Sequence, residues 1–555
     1  MYLSEHFLFM TNHPEIVTLR RPAKSLDASV VLPSSKSISN RLLIIRALSY
    51  YSGVSGSQGL PGDRNAATGD HQSTGSSNAP RKTVSDTHLS DKSEAWLPEK
   101  SGEKGASGPN QPSSEGSELI PDWWLNAIKN LSDSDDTAVM IKALTSVDPL
   151  KDIGHAGTSM RFLTAYYCTQ PGRTVMTGSP RMKQRPVGPL VDALRILGAD
   201  IQYIENEGFP PLEINGSADD NIECLSSEII AEQKAVIFKQ KGKDDKQRSE
   251  DGNHYDGSGH KGIGHYRPSK NMKGGAVSID GSISSQFISA LLMIGPVLEK
   301  GIELHLTGDI VSEAYIRMTL QLMKSCGAVF SREGNVIRVE PGGYGVAEFT
   351  VESDWSAASY WYAMALLEDH SRVTLRHLDE DSLQGDSELT NIFHKLGVVS
   401  DFTDRGFVLT KLVNLHPGRF EHDFTNTPDL VQAMAVALCL AKIPFRFTGT
   451  QTLRIKETDR IAALQQELKK LGYLLESDER GSFLAWDSKH CDPAVKPVIE
   501  TYHDHRMAMA FAPAALVRGE IRIADPMVVT KSYPDFWEDM ETAGFKMTIE
   551  SISPQ

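Results

Sequence analysis

Arg454-Ile455-Lys456-Glu457-Thr458-Asp459-Arg460 runs straight into Ile461-Ala462-Ala463-Leu464-Gln465-Gln466-Glu467-Leu468-Lys469-Lys470-Leu471-Gly472-Tyr473. Ile461, Leu464 and Leu468 fall on one face at helical spacing, so the segment reads as an amphipathic helix with a charged leader. Gly472 suits the left-handed position just past a helix end. The same ending returns at Leu197-Gly198-Ala199, Cys326-Gly327-Ala328, Leu396-Gly397-Val398 and Ala543-Gly544-Phe545. From Gly198 to Gly544 the glycines are separated by 129, 70, 75 and 72 residues. Removing a roughly 57-residue insertion brings the first spacing to about 72, a fixed period of the kind that marks a repeated structural unit. A helix at 137–147 supplies a sixth copy without the glycine. Each copy also holds an earlier helix that opens at Ser, Thr or Asp, near 37, 158, 284, 356, 428 and 504. The chain therefore reads as α/β: six units of two strand-flanked helices, near 70 residues each in the clearest copies.

At 555 residues the chain exceeds what one core supports. Its formal charge of −15 argues against a general nucleic-acid binder, but leaves room for a small cationic pocket. The five cysteines (Cys168, Cys224, Cys326, Cys439, Cys491) include no CxxC pair, which points to reduced thiols in a cytoplasmic setting. No 18-residue apolar run exists, and Met1 to Ile16 lacks the pattern of a signal peptide, so no membrane partner is expected. Two stretches break the globular pattern. Residues 53–118 are rich in Gly, Ser and Pro, and residues 217–273 are charged and glycine-rich, so both read as flexible or disordered insertions. His254, His260 and His265 in the second have no regular ligand spacing, and no metal role is assigned to them.

Charged and hydroxyl residues gather at the helix starts. Pro33-Ser34-Ser35-Lys36-Ser37-Ile38-Ser39-Asn40-Arg41 follows a strand and opens a helix that Ser35 or Ser37 can cap. Gly157-Thr158-Ser159-Met160-Arg161, Ser284-Ser285-Gln286, Pro428-Asp429 and Asp504-His505-Arg506 open others, and Lys531 precedes Tyr533-Pro534. Arg181-Met182-Lys183-Gln184-Arg185-Pro186 is a basic turn before a helix. Helix N-termini carry unpaired amides and a partial positive charge. With guanidinium forks and lysine point charges at matching places of each unit, the chain is built to bind more than one polyanion. Asp429 and Glu457 stand among these cations, where carboxylates are candidates for proton transfer and are expected to be ionised at rest.

These segments, together with Leu32-Pro33, Ala156-Gly157 and Gly281-Ser282-Ile283-Ser284-Ser285-Gln286-Phe287, resemble the signature motifs of the 5-enolpyruvylshikimate-3-phosphate synthase (3-phosphoshikimate 1-carboxyvinyltransferase) family of enolpyruvyl transferases. The likeness runs from about residue 17 to 547, insertions excluded. It implies a two-domain fold, an inside-out α/β barrel with three βαβαββ units per domain and the active site in the interdomain cleft. One domain would be 33–346; the other would be 347–555 joined by 1–32. It also implies transfer of the enolpyruvyl group of phosphoenolpyruvate to the 5-hydroxyl of shikimate 3-phosphate, with release of phosphate, through a tetrahedral intermediate and without metal or cofactor. Carried over by motif, Lys36, Ser37, Arg41, Ser284, Ser285, Gln286, Ser312, Tyr315, Asp429 and Lys456 would hold shikimate 3-phosphate. Lys36, Gly157, Arg185, Gln286, Arg460, Arg506 and Lys531 would hold phosphoenolpyruvate. Asp429 would take the hydroxyl proton, Glu457 would protonate the methylene carbon, and Lys36 would stand between the two substrates. A monomer with small-molecule partners only is expected.

Ser34, His155, Phe162 and the pair Thr452-Leu453 depart from the family pattern, and strands of the first unit look trimmed. Two other readings remain. The first is an enolpyruvyl transferase acting on UDP-N-acetylglucosamine, which has Asn where this chain has Ser37 and commonly a reactive loop Cys. The second is a non-catalytic anion-binding relative, which would not require both Asp429 and Glu457. RNA 3′-phosphate cyclase shares related units, but the acidic balance disfavours it.

Overall fold

Residues 15–52, 127–216, 271–345, 347–412 and 418–551 are described by the computed structural model, and all of them belong to one compact unit. The first predicted insertion, nearly all of the second, and His254, His260 and His265 lie outside the described residues.

The repeat is visible in the helices. Six inner helices span Lys36–Ser52, Gly157–Cys168, Ser285–Ile294, Trp355–Leu367, Val431–Leu440 and His505–Phe511. They are buried around nearly their whole circumference: every residue of Val431–Leu440 and of His505–Phe511 is buried. Each is followed in its unit by an outer, amphipathic helix: Asp135–Thr145, Gly188–Ile196, Glu313–Ser325, Leu389–His394, Arg460–Lys470 and Phe536–Thr542. The five repeated glycines all take positive φ, from 88° at Gly327 and Gly397 to 109° at Gly198. This is the left-handed turn that ends a helix, and a side chain there is strained. The helix starts lie within about three residues of those read from the sequence.

One unit shows the plan. Strand Gly275–Asp280 leads to helix Ser285–Ile294, a parallel strand Ile302–Thr307, helix Glu313–Ser325, and the antiparallel pair Phe330–Glu333 and Val336–Val339. Five four-stranded sheets follow this mixed pattern. In the first unit the described sheet is a two-stranded ribbon, Ile128–Lys129 with Phe349–Thr350, in line with the trimming read from the sequence.

The apolar residues form two cores. One joins residues from Ile38 to Val351; the other joins Val17–Leu32 to residues from Trp355 to Phe545. The N-terminal strands thus work with the far end of the chain. Glu15–Arg20 pairs with Glu520–Ala524 and Lys546–Ser551, and Asp27–Val31 pairs in parallel with Arg372–Arg376. The two crossings between the cores lie side by side. Ser34 bridges Ser353, the Ser35 amide donates to the Glu352 carbonyl at 2.8 Å, and the Asp354 amide donates to the Pro33 carbonyl at 2.8 Å. Gln384 ties both crossings together, accepting from the Ser35 hydroxyl and the Trp355 amide and donating to the Ser353 carbonyl. The fold is α/β, with two three-unit bodies and a cleft between them.

Candidate active site

The first turns of all six inner helices meet at one cavity of about 90 Å³. They bring Lys36 and Ser37, Gly157 and Thr158, Ser285 and Gln286, Ser356 and Ala357, Asp429 (from the 3-10 turn Pro428–Leu430 that leads into its helix), and His505 and Arg506. Six positive helix ends aimed at so small a space make an anion site before any side chain is counted. The outer helices and their leaders add Asp136, Arg185, Ser312, Tyr315, Lys456, Glu457 and Arg460. Arg41 reaches in from one turn down its helix. It is buried and donates to Thr319 Oγ1 (2.7 Å), the Ser37 carbonyl (2.8 Å) and Ser289 Oγ (3.3 Å). Burial lowers its pKa to about 10, so the guanidinium stays charged at neutral pH.

The charges in the site are organised around Arg460. Its Nε pairs with Asp504 Oδ2 at 2.7 Å, Nη1 with Asp429 Oδ1 at 3.0 Å, and Nη2 with Glu457 Oε2 at 2.8 Å. Arg506 Nη2 stands 3.1 Å from Asp429 Oδ2, Lys456 Nζ 3.4 Å from Asp429 Oδ1, and Tyr315 donates its hydroxyl to Asp429 at 3.2 Å. Arg185 Nη1 lies 4.0 Å from Glu457 Oε1, and Lys36 Nζ lies 3.1 Å from Asp136 Oδ2. Burial alone would raise the Asp429 carboxyl, but Arg506, Lys456 and Arg460 outweigh it and hold the pKa well below the usual carboxylate range. Glu457 behaves the same way: burial pushes it up, and Arg460, then Arg185 and Lys456, bring it well down. Both carboxylates are therefore ionised at neutral pH. His505 is buried with neither ring nitrogen hydrogen-bonded, and burial followed by Lys36 and Arg506 keeps it neutral.

Gly157 is needed for its size. A Cβ built there would lie 2.5 Å from Arg185 Nη1 and 2.8 Å from Arg185 Cζ, so only a bare backbone lets that guanidinium lie against the helix start. Gln286 donates to Thr158 Oγ1 at 3.0 Å, linking two helix starts across the cavity. Among the described residues no group of three or more His, Cys, Asp or Glu is placed to hold a metal ion, and no helix is long and apolar enough to cross a membrane.

A family profile described as EPSP synthase (3-phosphoshikimate 1-carboxyvinyltransferase) matches residues 125–230 and 263–540. A 3-phosphoshikimate 1-carboxyvinyltransferase of Bacteroides fragilis (strain YCH46) is 45% identical over 425 residues, 76% of this chain and 90% of that protein. The chain belongs to the EPSP synthase family. A more distant member, from Vibrio campbellii, is 31% identical over 443 residues, 75% of this chain and 90% of its own length. The fold agrees as well. The solved EPSP synthase of Acinetobacter baumannii superposes with a TM-score of 0.57 at 17% identity, covering 97% of this chain and 100% of that one.

Most residues picked by their likeness to EPSP synthase motifs line the cavity; two do not. Ser284 is the cap of its helix, its hydroxyl accepting from the Gln286 amide at 3.3 Å. Lys531 lies in an adjoining cavity of about 590 Å³, with Nζ 2.6 Å from the His503 carbonyl; its own carbonyl faces Lys36 Nζ at 3.5 Å. Arg185 and Glu457 line both cavities and form the wall between them. The motif reading passed over Asp136, Asp354, Tyr360, His505 and Ser532, which also line the inner cavity. Asp136 and Asp354 had a signal, an acid at a helix start, that on sequence grounds means only a cap.

Proposed function

We propose that this chain transfers the enolpyruvyl group of phosphoenolpyruvate to the 5-hydroxyl of shikimate 3-phosphate and releases phosphate, a step of aromatic amino-acid biosynthesis. The observation that carries the reading is one cavity holding both an anion cradle and two ionised carboxylates on opposite arms of Arg460. Ser37, Arg41, Ser285, Ser312 and Tyr315 hold shikimate 3-phosphate, with Ser284 setting the helix start that carries Ser285 and Gln286. Arg185, Arg460, Arg506 and the Gly157 backbone hold phosphoenolpyruvate, and Lys531 guards the adjoining cavity. Lys36, Gln286 and Lys456 stand between the two substrates.

Asp429 accepts the proton of the 5-hydroxyl as its oxygen bonds to the central carbon of phosphoenolpyruvate, and Glu457 gives a proton to the methylene carbon. Return of a methyl proton to the Glu457 carboxylate, with departure of phosphate, then restores the double bond. Lysine and arginine cations offset the charge that develops on carboxylate and departing phosphate. The ion pairs describe how Glu457 gains its proton. A substrate carboxylate or phosphate competes for Arg185, Arg460 and Lys456, and each cation drawn away raises the Glu457 pKa.

We place the division between the bodies at 32/33 and 346/347, as the separation of the two cores supports. The cavity is complete within one chain, which supports a monomer, and the four described cysteines are free thiols, which supports a reducing cytoplasm. The reading as a UDP-N-acetylglucosamine transferase is disfavoured by Cys168, which is buried at a helix end with its thiol pushed well above its ordinary pKa by burial. The test is product identification. Incubation with both substrates should yield an enolpyruvyl ether of shikimate 3-phosphate by NMR; no ether here, but one with UDP-N-acetylglucosamine, overturns the assignment.

A further inference from the structure

We propose that Arg181 is a positioning residue that holds Glu457 in its reactive place by gripping the backbone beneath it. Lys456 and Glu457 lie in a bend between the 3-10 turn Gln451–Ile455 and the helix Arg460–Lys470. No backbone amide among the described residues donates to either carbonyl. Arg181 supplies the missing donors from the other body: its Nε lies 3.2 Å from the Glu457 carbonyl and its Nη2 3.3 Å from the Lys456 carbonyl. The turn that carries Arg181 is itself anchored. Met182 is buried in the first core, its amide donates to Ser179 Oγ at 3.2 Å, and the Arg185 amide donates to the Met182 carbonyl at 3.0 Å. Arg185, on the same turn, faces the Glu457 carboxylate. One rigid turn of the first body thus holds both main chain and side chain of a residue that belongs to the second. The two bodies must be together for Glu457 to be placed, so closure and proton transfer are coupled. A planar fork with two donors in fixed geometry suits two successive carbonyls, whereas a lysine offers a single point charge.

The inference rests on the reading of Glu457 as the proton donor, and the test separates the two. Arg181→Ala and Arg181→Lys are compared with Glu457→Gln and with the Arg181→Ala/Glu457→Gln double variant by steady-state kinetics and thermal unfolding. A misplaced reacting group costs rate more than binding, so Arg181→Ala should lower kcat about tenfold to a hundredfold with the KM for phosphoenolpyruvate changed by under about threefold. Arg181→Lys should recover part of that loss. In the Glu457→Gln background Arg181→Ala should lower kcat by less than about twofold further, because its target is gone. Additive losses in the double variant, or an unchanged kcat in Arg181→Ala beside an impaired Glu457→Gln, overturn the Arg181 inference alone. An unchanged kcat in Glu457→Gln overturns the role of Glu457 and the inference with it. A lower unfolding midpoint with unchanged kcat assigns Arg181 to stability only.

Discussion

The inner helices of the two bodies start at the same place in the fold but not with the same chemistry. In the first body the starts offer Lys36 and Ser37, Gly157 and Thr158, and Ser285 and Gln286, and no acid stands in any of their first turns. In the second body all three starts carry an aspartate, Asp354, Asp429 and Asp504, at successive spacings of 75 residues. The outer two of these cap their helices, and Asp504 also pairs with the buried Arg460. Asp354 accepts from the Ala357 amide at 3.1 Å, and Asp504 accepts from the Arg506 amide at 2.9 Å. Asp429 caps nothing; its oxygens face Arg460, Arg506, Lys456 and Tyr315. Six similar anion-attracting helix ends are thus told apart by the sign of their side chains. Hydroxyls and cations in one body suit phosphate binding, while one acid in the other body, Asp429, faces the cations of the cavity instead of capping its helix.

That comparison breaks most readily at Asp429. Asp429→Asn and Glu457→Gln should each lower kcat by about 10²–10⁴, the usual range for a lost general acid or base, with modest change in KM. Asp354→Asn, which keeps a capping acceptor, should cost less than about tenfold in the same assay. A loss at Asp354 as large as that at Asp429 would erase the distinction between cap and base. Asp504→Ala tests the structural side. It strands one arm of the buried Arg460 and removes a cap, so denaturant unfolding should show about 3 kcal/mol of lost stability. On the first-body side, Gly157→Ala drives a methyl into the Arg185 guanidinium and should raise the KM for phosphoenolpyruvate at least about tenfold, the worth of one charge-assisted hydrogen bond.

The smallest effect concerns Asp386, buried beside this cluster, which accepts from the Ser356 hydroxyl. Burial, then the nearby Asp429 charge, raises its pKa to about 7. The folded state therefore holds this proton more tightly than the unfolded chain does. Its contribution to stability falls as pH rises from the ordinary carboxylate value through about 7. Asp386→Asn should accordingly stabilise the protein by about 1 kcal/mol at pH 8 and have no effect near pH 4, as read by thermal unfolding at the two values. Equal effects at both would show that Asp386 is not protonated on folding.

Local chemistry explains how much of this could be read in advance. Gly198, Gly327, Gly397, Gly472 and Gly544 announced the outer helix ends because only a left-handed residue closes a helix that way. Hydroxyl and acid caps announced the starts. That the N-terminal strands join the far body came only through family likeness, and their pairing partners not at all, since no local signal joins Glu15–Arg20 to Glu520–Ala524 some 500 residues away. In the site, Lys36, Arg185, Arg460 and Arg506 stood out together because cations gathered at several helix N-termini, against the helix dipole, suit a bound anion. His505 stayed hidden, because its neutrality depends on burial and on Lys36 arriving from a distant unit to add to the adjacent Arg506. Ser284 caps its helix by accepting from the Gln286 amide, a role that sequence does not separate from ligand binding. Asp354, Asp429 and Asp504 are alike in spacing, and only their partners tell which one is free for chemistry.

The most direct test is the initial rate of phosphate release from phosphoenolpyruvate, measured with and without shikimate 3-phosphate, for the wild-type chain and Asp429→Asn. Sustained release by the wild type only when both substrates are present, reduced by orders of magnitude in the variant, is the result expected. Release that ignores shikimate 3-phosphate, or that survives in Asp429→Asn, would contradict it.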